Sequence, residues 1–394
     1  MKFEQILKAR ERIKDKIKYT PVVSLRTIGD DAYIKMESLQ VTGSFKIRGA
    51  LNKILTLSDE ELKRGVIACS AGNHAQGVAK SARDLGVKSV ICIPTYAPIS
   101  KIEATKRLGA EVVLVPTTFD DAKQRAYELE KEKGYTFIHP FNDEEVIAGQ
   151  GTIGIEIMEQ LPLVDIVVVP IGGGGLISGI ALAIKSINPK VKVIGVQAST
   201  AGSMYQSLKE DKVITLNSSR TIADGIAVKT PGDLCFDIVK EYVDDVVLVS
   251  EGEISGAILA LMEDEKIVSE GAAAAAVAAL MYNKFDSKGK KVLCVLSGGN
   301  IDVQRISKVI EKGLFTTKRA LDLRITLQDS PGELNKLLKI FEELGSNIQT
   351  IDQVVDLAGD DIDTMWVRVK VATRDENHQE EIKSALIASG YKLH

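Results

Sequence analysis

Lys46, in the segment SFKIRGA, is the first residue whose type and place could support chemistry. It follows the strand-like run AYIKMES and precedes the helical pattern ALNKIL, so we expect it at the start of a helix in apolar surroundings. Desolvation and the positive end of a helix dipole both lower the pKa of an ammonium group, which frees a nucleophilic amine. Taken alone, a lysine in such a segment is far more often a solvated surface charge.

A second motif is SAGNH, residues 70–74, between a predicted buried strand and a predicted helix. Free amides at the start of a helix bind anions such as a substrate carboxylate. The side chains of Ser70 and Asn73 could add hydrogen bonds there. A simple helix cap with a glycine turn is the alternative that this segment leaves open.

A third motif places four glycines between a strand and a helix: Gly172, Gly173, Gly174 and Gly175, followed by Leu176. Such a turn lets the backbone wrap around a phosphate. The motif lacks the lysine of a P-loop and the spacing of a dinucleotide-binding fingerprint. It therefore favours a phosphate that is not part of a nucleotide. Close packing of helix and strand is the alternative, and it does not explain four consecutive glycines.

Ser297 lies in a fourth motif, LSGGN, directly after the apolar run KVLCV. Its hydroxyl could meet a ring nitrogen of a cofactor, although a plain strand-to-helix turn would look the same. Together the four motifs supply an activated amine, an anion site, a phosphate cup and a neutral hydroxyl. That combination suits pyridoxal phosphate, whose aldehyde needs a lysine and whose phosphate needs a cup.

The elements that carry these motifs alternate between short apolar strands and amphipathic helices from about residue 60 to 310. This pattern predicts parallel sheets in an α/β fold. Most strands run into Gly or Ser, and in open α/β sheets that carboxyl edge binds ligands. From residue 321 the pattern changes to β-α-β-β-α-β, which is typical of a ferredoxin-like unit. Charges and Gly313 predict an exposed linker before it.

Composition excludes several function classes. The 394 residues include 50 basic and 54 acidic side chains, so no basic surface for nucleic acid is expected. No apolar run reaches the roughly 20 residues of a membrane span, and the charged start is not a signal peptide. The four cysteines and four histidines lack metal-ligand spacing. Cys69, Cys92 and Cys294 lie in strand-like apolar runs, where we expect small buried side chains. We therefore expect a cytoplasmic protein without a metal site.

Six motifs in order resemble those of the threonine/serine dehydratases: SFKIRGA, SAGNHAQG, VIAGQGTIGIE, PIGGGGLISG, TIADGIAV and VLSGGN. These are pyridoxal-phosphate enzymes of the tryptophan-synthase-β-like fold (fold type II), built from two open α/β subdomains. The tail, with DSPGEL and a later Asn-Ile pair, resembles an ACT domain. The resemblance implies a catalytic domain at 1–312 with a smaller subdomain at about 41–145, a linker at 313–320 and a ferredoxin-like ACT domain at 321–394.

The resemblance also assigns roles to residues of this sequence. Lys46 would bind the cofactor as a Schiff base with Phe45 beside it, Asn73 would bond the 3′-oxygen, and Ser297 would face the ring nitrogen. The phosphate would lie at residues 172–176, and Glu270 near the cofactor. The substrate carboxylate would be held by Ser70, Gly72, Asn73 and His74.

The implied activity is β-elimination and deamination of L-threonine to 2-oxobutanoate and ammonia, as in isoleucine biosynthesis. A homodimer or homotetramer is implied, regulated by isoleucine or valine. The effector would lie between two copies, at Asp329, Gly332 and Leu334 of one and Asn347 and Ile348 of the other. Three alternatives stay open: a serine-preferring dehydratase, a non-catalytic amino-acid sensor, and a nicotinamide-dependent enzyme, which the glycine spacing disfavours.

The sequence departs from the related serine racemases in two places. Ala71 stands where they carry a second serine, which argues against racemase activity. Gln197 and Ser203 stand where their cation site uses a Glu and an Asp. A divalent metal is therefore not expected, and a monovalent ion held by carbonyl oxygens stays open.

Overall fold

The computed structural model describes residues 1–25, 28–29, 31–116, 118–354 and 363–394. These residues form two compact units, Met1–Ile306 and Ser307–His394. Among the described helices, none is both long and apolar enough to cross a membrane.

The first unit is built on two sheets. Its strands are β1 (Val22–Ser24), β2 (Ala32–Met36), β3 (Val66–Cys69), β4 (Ser89–Pro94), β5 (Glu111–Val115), β6 (Thr136–Phe137), β7 (Ile166–Pro170), β8 (Lys192–Ala198), β9 (Asp245–Val249) and β10 (Val292–Leu296). One sheet has the order β1-β2-β10-β7-β8-β9 and the other β5-β4-β3-β6. Every pair is parallel except β1 with β2, so the predicted parallel sheets are confirmed.

Helices connect these strands. They are α1 (Phe3–Ile13), α2 (Lys46–Ile54), α3 (Asp59–Arg64), α4 (Asn73–Asp84), α5 (Ile99–Arg107), α6 (Phe119–Lys133), α7 (Glu144–Gln160), α8 (Gly175–Ile187), α9 (Ser203–Lys209), α10 (Asp233–Tyr242), α11 (Glu251–Glu263), α12 (Gly271–Met281) and α13 (Val303–Thr316). Several begin at side-chain caps that the sequence supplies. Asp143, for example, accepts hydrogen bonds from the amides of Glu145 and Val146 at the start of α7.

The central strands of both sheets are buried along their whole length, as the continuous apolar runs predicted. Helix α12, the alanine-rich segment, is buried from Gly271 to Ala279, because small side chains let it pack closely in the core. Cys69, Cys92 and Cys294 are buried, as expected, and all four cysteines are buried and free. Strand β1 was not predicted, since it has three residues, too few for a pattern. Strand β6 is shorter than the predicted run TFIHP, because residues 139–142 turn toward α7.

A buried ionic network lies behind the start of α2. The guanidinium of Arg48 donates two hydrogen bonds of 2.8 Å to Glu37 and others of 2.6 and 3.0 Å to Glu156. The amine of Lys35 donates to Glu156 at 2.6 Å and to the carbonyl of Thr20 at 2.6 Å. Two positive and two negative groups thus balance in the interior and fix α2 to α7.

The second unit is an antiparallel sheet with two helices. After α13 come β11 (Ala320–Gln328), α14 (Glu333–Glu343), β12 (Ile348–Val354), β13 (Thr364–Ala372), α15 (Glu376–Ala388) and β14 (Lys392–Leu393), with the sheet order β12-β13-β11-β14. The predicted β-α-β-β-α-β order is confirmed. Leu323, Ile325 and Leu327 alternate into the core of this unit. The connection before it differs from the expected linker: Gly313 lies buried within α13, so only residues 317–319 join helix to strand.

Candidate active site

Lys46 is the first residue of α2, as the sequence predicted. Its amine donates a hydrogen bond of 2.7 Å to the carbonyl oxygen of Pro140 and lies 5.2 Å from the centre of the Phe45 ring. The residue as a whole is half-buried, but protein atoms surround the amine. This desolvation lowers the pKa of Lys46 to about 8, against the attraction of Glu270, which raises it. The predicted direction of the shift is therefore confirmed.

The loop before Lys46 is paired with the loop after β10. The amide of Phe45 donates to the carbonyl of Ser297 at 3.0 Å, and the amide of Gly299 donates to the carbonyl of Gly43 at 2.9 Å. Gly43 has a φ of +71°, and a Cβ there would lie 2.5 Å from the Asn300 side chain. The pairing places the first and fourth motifs side by side at the carboxyl edge of the large sheet. Ser297 is buried there, with 2% of its surface exposed.

Asn73, at the start of α4, joins the second motif to this pair. Its amide nitrogen donates to both carboxylate oxygens of Glu270, at 2.8 and 3.0 Å. Its oxygen accepts a 2.8 Å hydrogen bond from Asn300, which also donates to the carbonyl of Thr42 at 2.8 Å. Burial raises the pKa of Glu270 to about 7, although the hydrogen bond from Asn73 lowers it. Asn300 was not singled out from sequence, although it ends the motif LSGGN.

The start of α4 lacks a side-chain cap. Gly72 is the N-cap residue, and the Ser70 hydroxyl accepts a 3.2 Å hydrogen bond from the Gly72 amide instead of capping the helix. The His74 ring is bonded to the carbonyl of Ile138 at 2.8 Å. Burial lowers the pKa of His74 to about 3, so this ring is neutral. At the predicted carboxylate site, His74 would therefore act through its backbone amide and not through its ring.

The glycine loop between β7 and α8 is as close-packed as four glycines allow. Gly174 is the N-cap of α8 with a φ of +106°, and no side chain caps this helix. A Cβ on Gly173 would lie 2.5 Å from the Phe141 ring, and one on Gly174 would lie 2.6 Å from the Cβ of Cys235. Phe141 and Cys235, two residues that were not singled out from sequence, therefore close the positions of Gly173 and Gly174 to any side chain.

The two positions that differ from the racemase cation site are engaged in other contacts. The Gln197 amide donates to the carbonyl of Ile171 at 3.3 Å and accepts from the amide of Tyr205 at 2.9 Å. The Ser203 hydroxyl donates to the carbonyl of Val228 at 2.9 Å. Within the described ranges, no group of three or more His, Cys, Asp or Glu side chains could hold a metal ion.

The predicted effector residues of the second unit do not meet within one chain. Asp329 follows β11 and its amide bonds the carbonyl of Asp363, next to the start of β13. Asn347 precedes β12, and its carbonyl accepts from the amide of Ala372, at the end of β13. The nine residue steps from Asp363 to Ala372 separate the two places by roughly 30 Å at about 3.3 Å per residue. Gly332, with a φ of +99°, and Leu334 lie with Asp329, whereas Ile348 lies with Asn347.

These features fit pyridoxal phosphate. The amine that would bind its aldehyde is desolvated. The loop before this amine is hydrogen-bonded to the loop that contains Ser297 and Asn300, and Asn300 in turn contacts Asn73. The glycine loop leaves no room for a Cβ at residues 173–175 and lies at the uncapped start of a helix of 13 residues, whose free amides can bind an anion. Geometry and donor set therefore both suit a phosphorylated aldehyde.

Comparison with known proteins agrees with this fit. Residues 13–298 match the family described as "Pyridoxal-phosphate dependent enzyme". The chain belongs to this family. An L-threonine ammonia-lyase of Thermotoga maritima is 51% identical over 99% of this chain and 98% of its own length. One from Geobacter sulfurreducens is 44% identical over 98% and 97%. This pyridoxal-phosphate dependent enzyme therefore belongs to the threonine ammonia-lyase family.

Solved structures give the same family. The processed form of threonine deaminase isoform 2 from Solanum lycopersicum has a TM-score of 0.75 and 40% identity, covering 79% of this chain and 93% of that one. Maize serine racemase also has a TM-score of 0.75, with 36% identity, covering 80% and 98%. The fold-type-II α/β architecture of this pyridoxal-phosphate dependent enzyme is therefore established.

Proposed function

We propose that this enzyme converts L-threonine to 2-oxobutanoate and ammonia. The observation that carries the proposal is the desolvated amine of Lys46, joined through the loops 42–45 and 297–300 to Ser297 and Asn73. The named activity of relatives that match almost the whole chain supports this substrate.

Each predicted site residue has a role in this proposal. Lys46 would bind the cofactor aldehyde, Phe45 would lie beside the ring, and Ser297 would face the ring nitrogen. The amides of residues 172–176 would hold the phosphate, and Asn73 would bond the 3′-oxygen. When bound, pyridoxal phosphate supplies an aldehyde that joins amines and a ring that withdraws electrons from the substrate Cα.

The amine of Lys46 would take the proton from the substrate Cα. A pKa lowered to about 8 leaves a useful fraction of this amine unprotonated near neutral pH. The carbonyl of Pro140, 2.7 Å from Nζ, orients the amine and accepts a hydrogen bond from its protonated form. Lys46 is thus both an attachment point and a base.

The substrate carboxylate would bind at the uncapped start of α4, with Ser70, Gly72, Asn73 and His74 around it. Backbone amides there favour an anion without placing a second cation beside Lys46. Elimination breaks the bond from Cβ to the hydroxyl and releases water. The amine left by this elimination then takes up one water molecule by hydrolysis and releases ammonia. One water is lost and one is gained, so threonine gives 2-oxobutanoate and ammonia.

The test is release of 2-oxo acid from L-threonine by the cofactor-loaded chain, with L-serine in parallel. We expect turnover of threonine and loss of turnover in Lys46→Ala. One methyl group is worth only about 1–3 kcal/mol of discrimination, so serine should also react. A clear preference for serine would identify a serine dehydratase. Cofactor binding with no oxo acid from either substrate would leave an amino-acid sensor.

We further propose that the second unit is an ACT domain that binds isoleucine or valine between two copies of the chain. Asp329 and Asn347 adjoin opposite ends of β13, so a niche that uses both needs a second copy. Gly332, at a φ of +99°, provides an uncapped start of α14 beside which an amino-acid carboxylate would fit. The proposed site needs at least two copies of the chain, which a homodimer or a homotetramer would supply.

Isoleucine binding by the full-length chain tests this second proposal. Calorimetry should detect binding to the wild type and at least about tenfold weaker binding to Asn347→Ala, which loses one side-chain hydrogen bond to the ligand. Light scattering should give an assembly of at least two chains. Binding of isoleucine to a strictly monomeric chain, or equal binding by the variant, would contradict the two-copy site.

A further inference from the structure

We infer that His139 is a positioning residue: its ring nitrogen Nδ1 fixes the segment 139–142, which presents a carbonyl to Lys46 and an aromatic ring to the glycine loop. The inference rests on the proposed function, because it concerns how the same site is held before the cofactor arrives. Sequence analysis gave His139 no role.

The hydrogen bonds of His139 define its tautomer. Nδ1 accepts from the amide of Asn142 at 2.7 Å and from the amide of Phe141 at 3.2 Å. Backbone amides are donors only, so Nδ1 must carry no proton. One acceptor therefore closes a tight turn of four residues, and protonation of Nδ1 would open it.

This turn contacts Lys46 and the glycine loop at once. The Pro140 carbonyl accepts from the Lys46 amine at 2.7 Å. The Phe141 ring lies where a Cβ on Gly173 would be 2.5 Å away, and its carbonyl lies 2.8 Å from a Cβ built on Gly175. A shift of the turn would therefore move both the Pro140 carbonyl that Lys46 contacts and the Phe141 ring that packs against the glycine loop.

The ring of His139 also packs within the turn. It meets the Phe141 ring edge to face, with centres 4.8 Å apart, and tilts over Phe137 at 6.2 Å. The far end of the turn is held by Asn142, whose side-chain amide donates a 2.6 Å hydrogen bond to the carboxylate of Asp233. His139 is thus the internal link between the end of β6 and the start of α7.

The charges around His139 keep Nδ1 unprotonated. Burial is the main cause that lowers the pKa of His139 to about 4. Lys123 of α6 and Lys46 of α2 lower it further, whereas Asp143 and Asp233 raise it. The acceptor is therefore available throughout the pH range in which Lys46 titrates.

Two substitutions separate the acceptor from the ring. His139→Asn keeps an oxygen that can accept from the amide two residues on, as asparagine does in turns. His139→Phe keeps an aromatic ring of similar size between Phe137 and Phe141 but removes the acceptor. We expect His139→Phe to behave as the defective variant and His139→Asn to retain function, although it loses more packing.

The readout is the rate at which the cofactor-free chain takes up pyridoxal phosphate, followed by its absorbance from pH 6 to 10. We expect cofactor uptake by His139→Phe to be at least about tenfold slower than by the wild type, because a small misplacement of reacting groups slows a reaction strongly. Uptake by His139→Asn should stay within about threefold of the wild-type rate. In the wild type the uptake rate should rise with pH and reach half of its maximum near pH 8, where Lys46 loses its proton.

The midpoint distinguishes positioning from general loosening. Without an ordered Pro140 carbonyl the Lys46 ammonium loses a partner, so the midpoint should fall by roughly half a pH unit to one unit in His139→Phe. Thermal unfolding of the cofactor-free variants serves as the folding control. If His139→Phe does not fold, His139→Leu, which also lacks an acceptor, replaces it.

Equal uptake and an unchanged midpoint in His139→Phe would overturn the inference. So would a defect in His139→Asn as large as that in His139→Phe, because the ring and not the acceptor would then matter. If the wild type fails to take up the cofactor, or fails to release oxo acid from threonine, the proposed function itself is contradicted.

Discussion

The backbone amide of Phe45 donates a 3.0 Å hydrogen bond to the carbonyl of Ser297. This bond joins the loop that precedes Lys46 to the loop that follows β10, a strand of the large sheet. It places Lys46 one residue from a contact with the residue proposed to face the cofactor ring. The chemistry of the site therefore depends on a backbone pairing between distant parts of the first unit.

Lys46→Ala should remove both the visible absorbance of the lysine-bound cofactor and the release of oxo acid. The substitution deletes the proposed attachment point and the proposed base, so we expect a loss of at least about a thousandfold in turnover. Absorbance after dialysis and a coupled oxo-acid assay measure the two effects.

Lys53→Ala is the matched control for this substitution, since it removes another lysine from the same helix. Lys53 pairs with Asp143 at 2.7 Å and is partly exposed, so its loss should cost at most about 1 kcal/mol and leave the spectrum unchanged. A full visible band in Lys46→Ala would show that another amine carries the cofactor.

Glu270→Gln should change how stability depends on pH. The pKa of Glu270 is raised to about 7 in the folded chain, so the folded state binds this proton more tightly than the unfolded state. The stabilisation is full below the unfolded pKa near 4.5 and is lost as pH rises through 7. At pH 8 the wild type buries a charge that the variant lacks, at a cost of up to about 3 kcal/mol.

Urea unfolding of the cofactor-free chain at pH 5 and pH 8 measures this difference. We expect Glu270→Gln to be more stable than the wild type at pH 8 and similar to it near pH 5. The amide oxygen of the glutamine can still accept from Asn73, so one of the two hydrogen bonds is preserved. The same stability difference at both pH values would contradict a titrating, buried Glu270.

Gly174→Ala should weaken binding of pyridoxal phosphate. A Cβ there would lie 2.6 Å from the Cβ of Cys235 and would be strained at a φ of +106°. The loop must shift to relieve the overlap, which moves the backbone amides that are proposed to hold the phosphate. We expect the Kd for the cofactor to rise at least about tenfold, equivalent to about 1.4 kcal/mol.

Gly289→Ala separates backbone strain from the overlap. Gly289 also has a positive φ, +66°, but a Cβ there would meet nothing within 4 Å. This control should lose about 1 kcal/mol of stability and keep the cofactor affinity of the wild type. Unchanged affinity in Gly174→Ala would argue that the phosphate lies elsewhere.

Arg48→Met should destabilise the first unit strongly. The substitution leaves Glu37 buried without its guanidinium partner and Glu156 paired only with Lys35. Breaking one member of a buried ionic network costs about 3–5 kcal/mol. Arg10→Met is the control, because Arg10 forms an exposed pair with Glu159 that is worth about 1 kcal/mol or less. Similar urea midpoints for the two variants would contradict the network's role.

The sequence by itself determined the parallel α/β class of the first unit and the β-α-β-β-α-β order of the second. It also placed Lys46 at a helix start with a lowered pKa. These follow from local information: apolar runs, glycine turns and the residues that begin helices. The same information identified the four motifs by their residue types, because anion-binding and phosphate-binding turns need glycines whatever surrounds them.

Only the tertiary structure decided which side chains face one another. The contacts of Asn300 with Asn73, of Phe141 with the glycine loop and of His139 with its own turn join residues whose types alone signal nothing. The separation of Asp329 from Asn347 likewise depends on strand order, since both lie beside the same strand at opposite ends. Periodicity reports which face of an element is buried, but pairing between distant loops depends on how the elements pack.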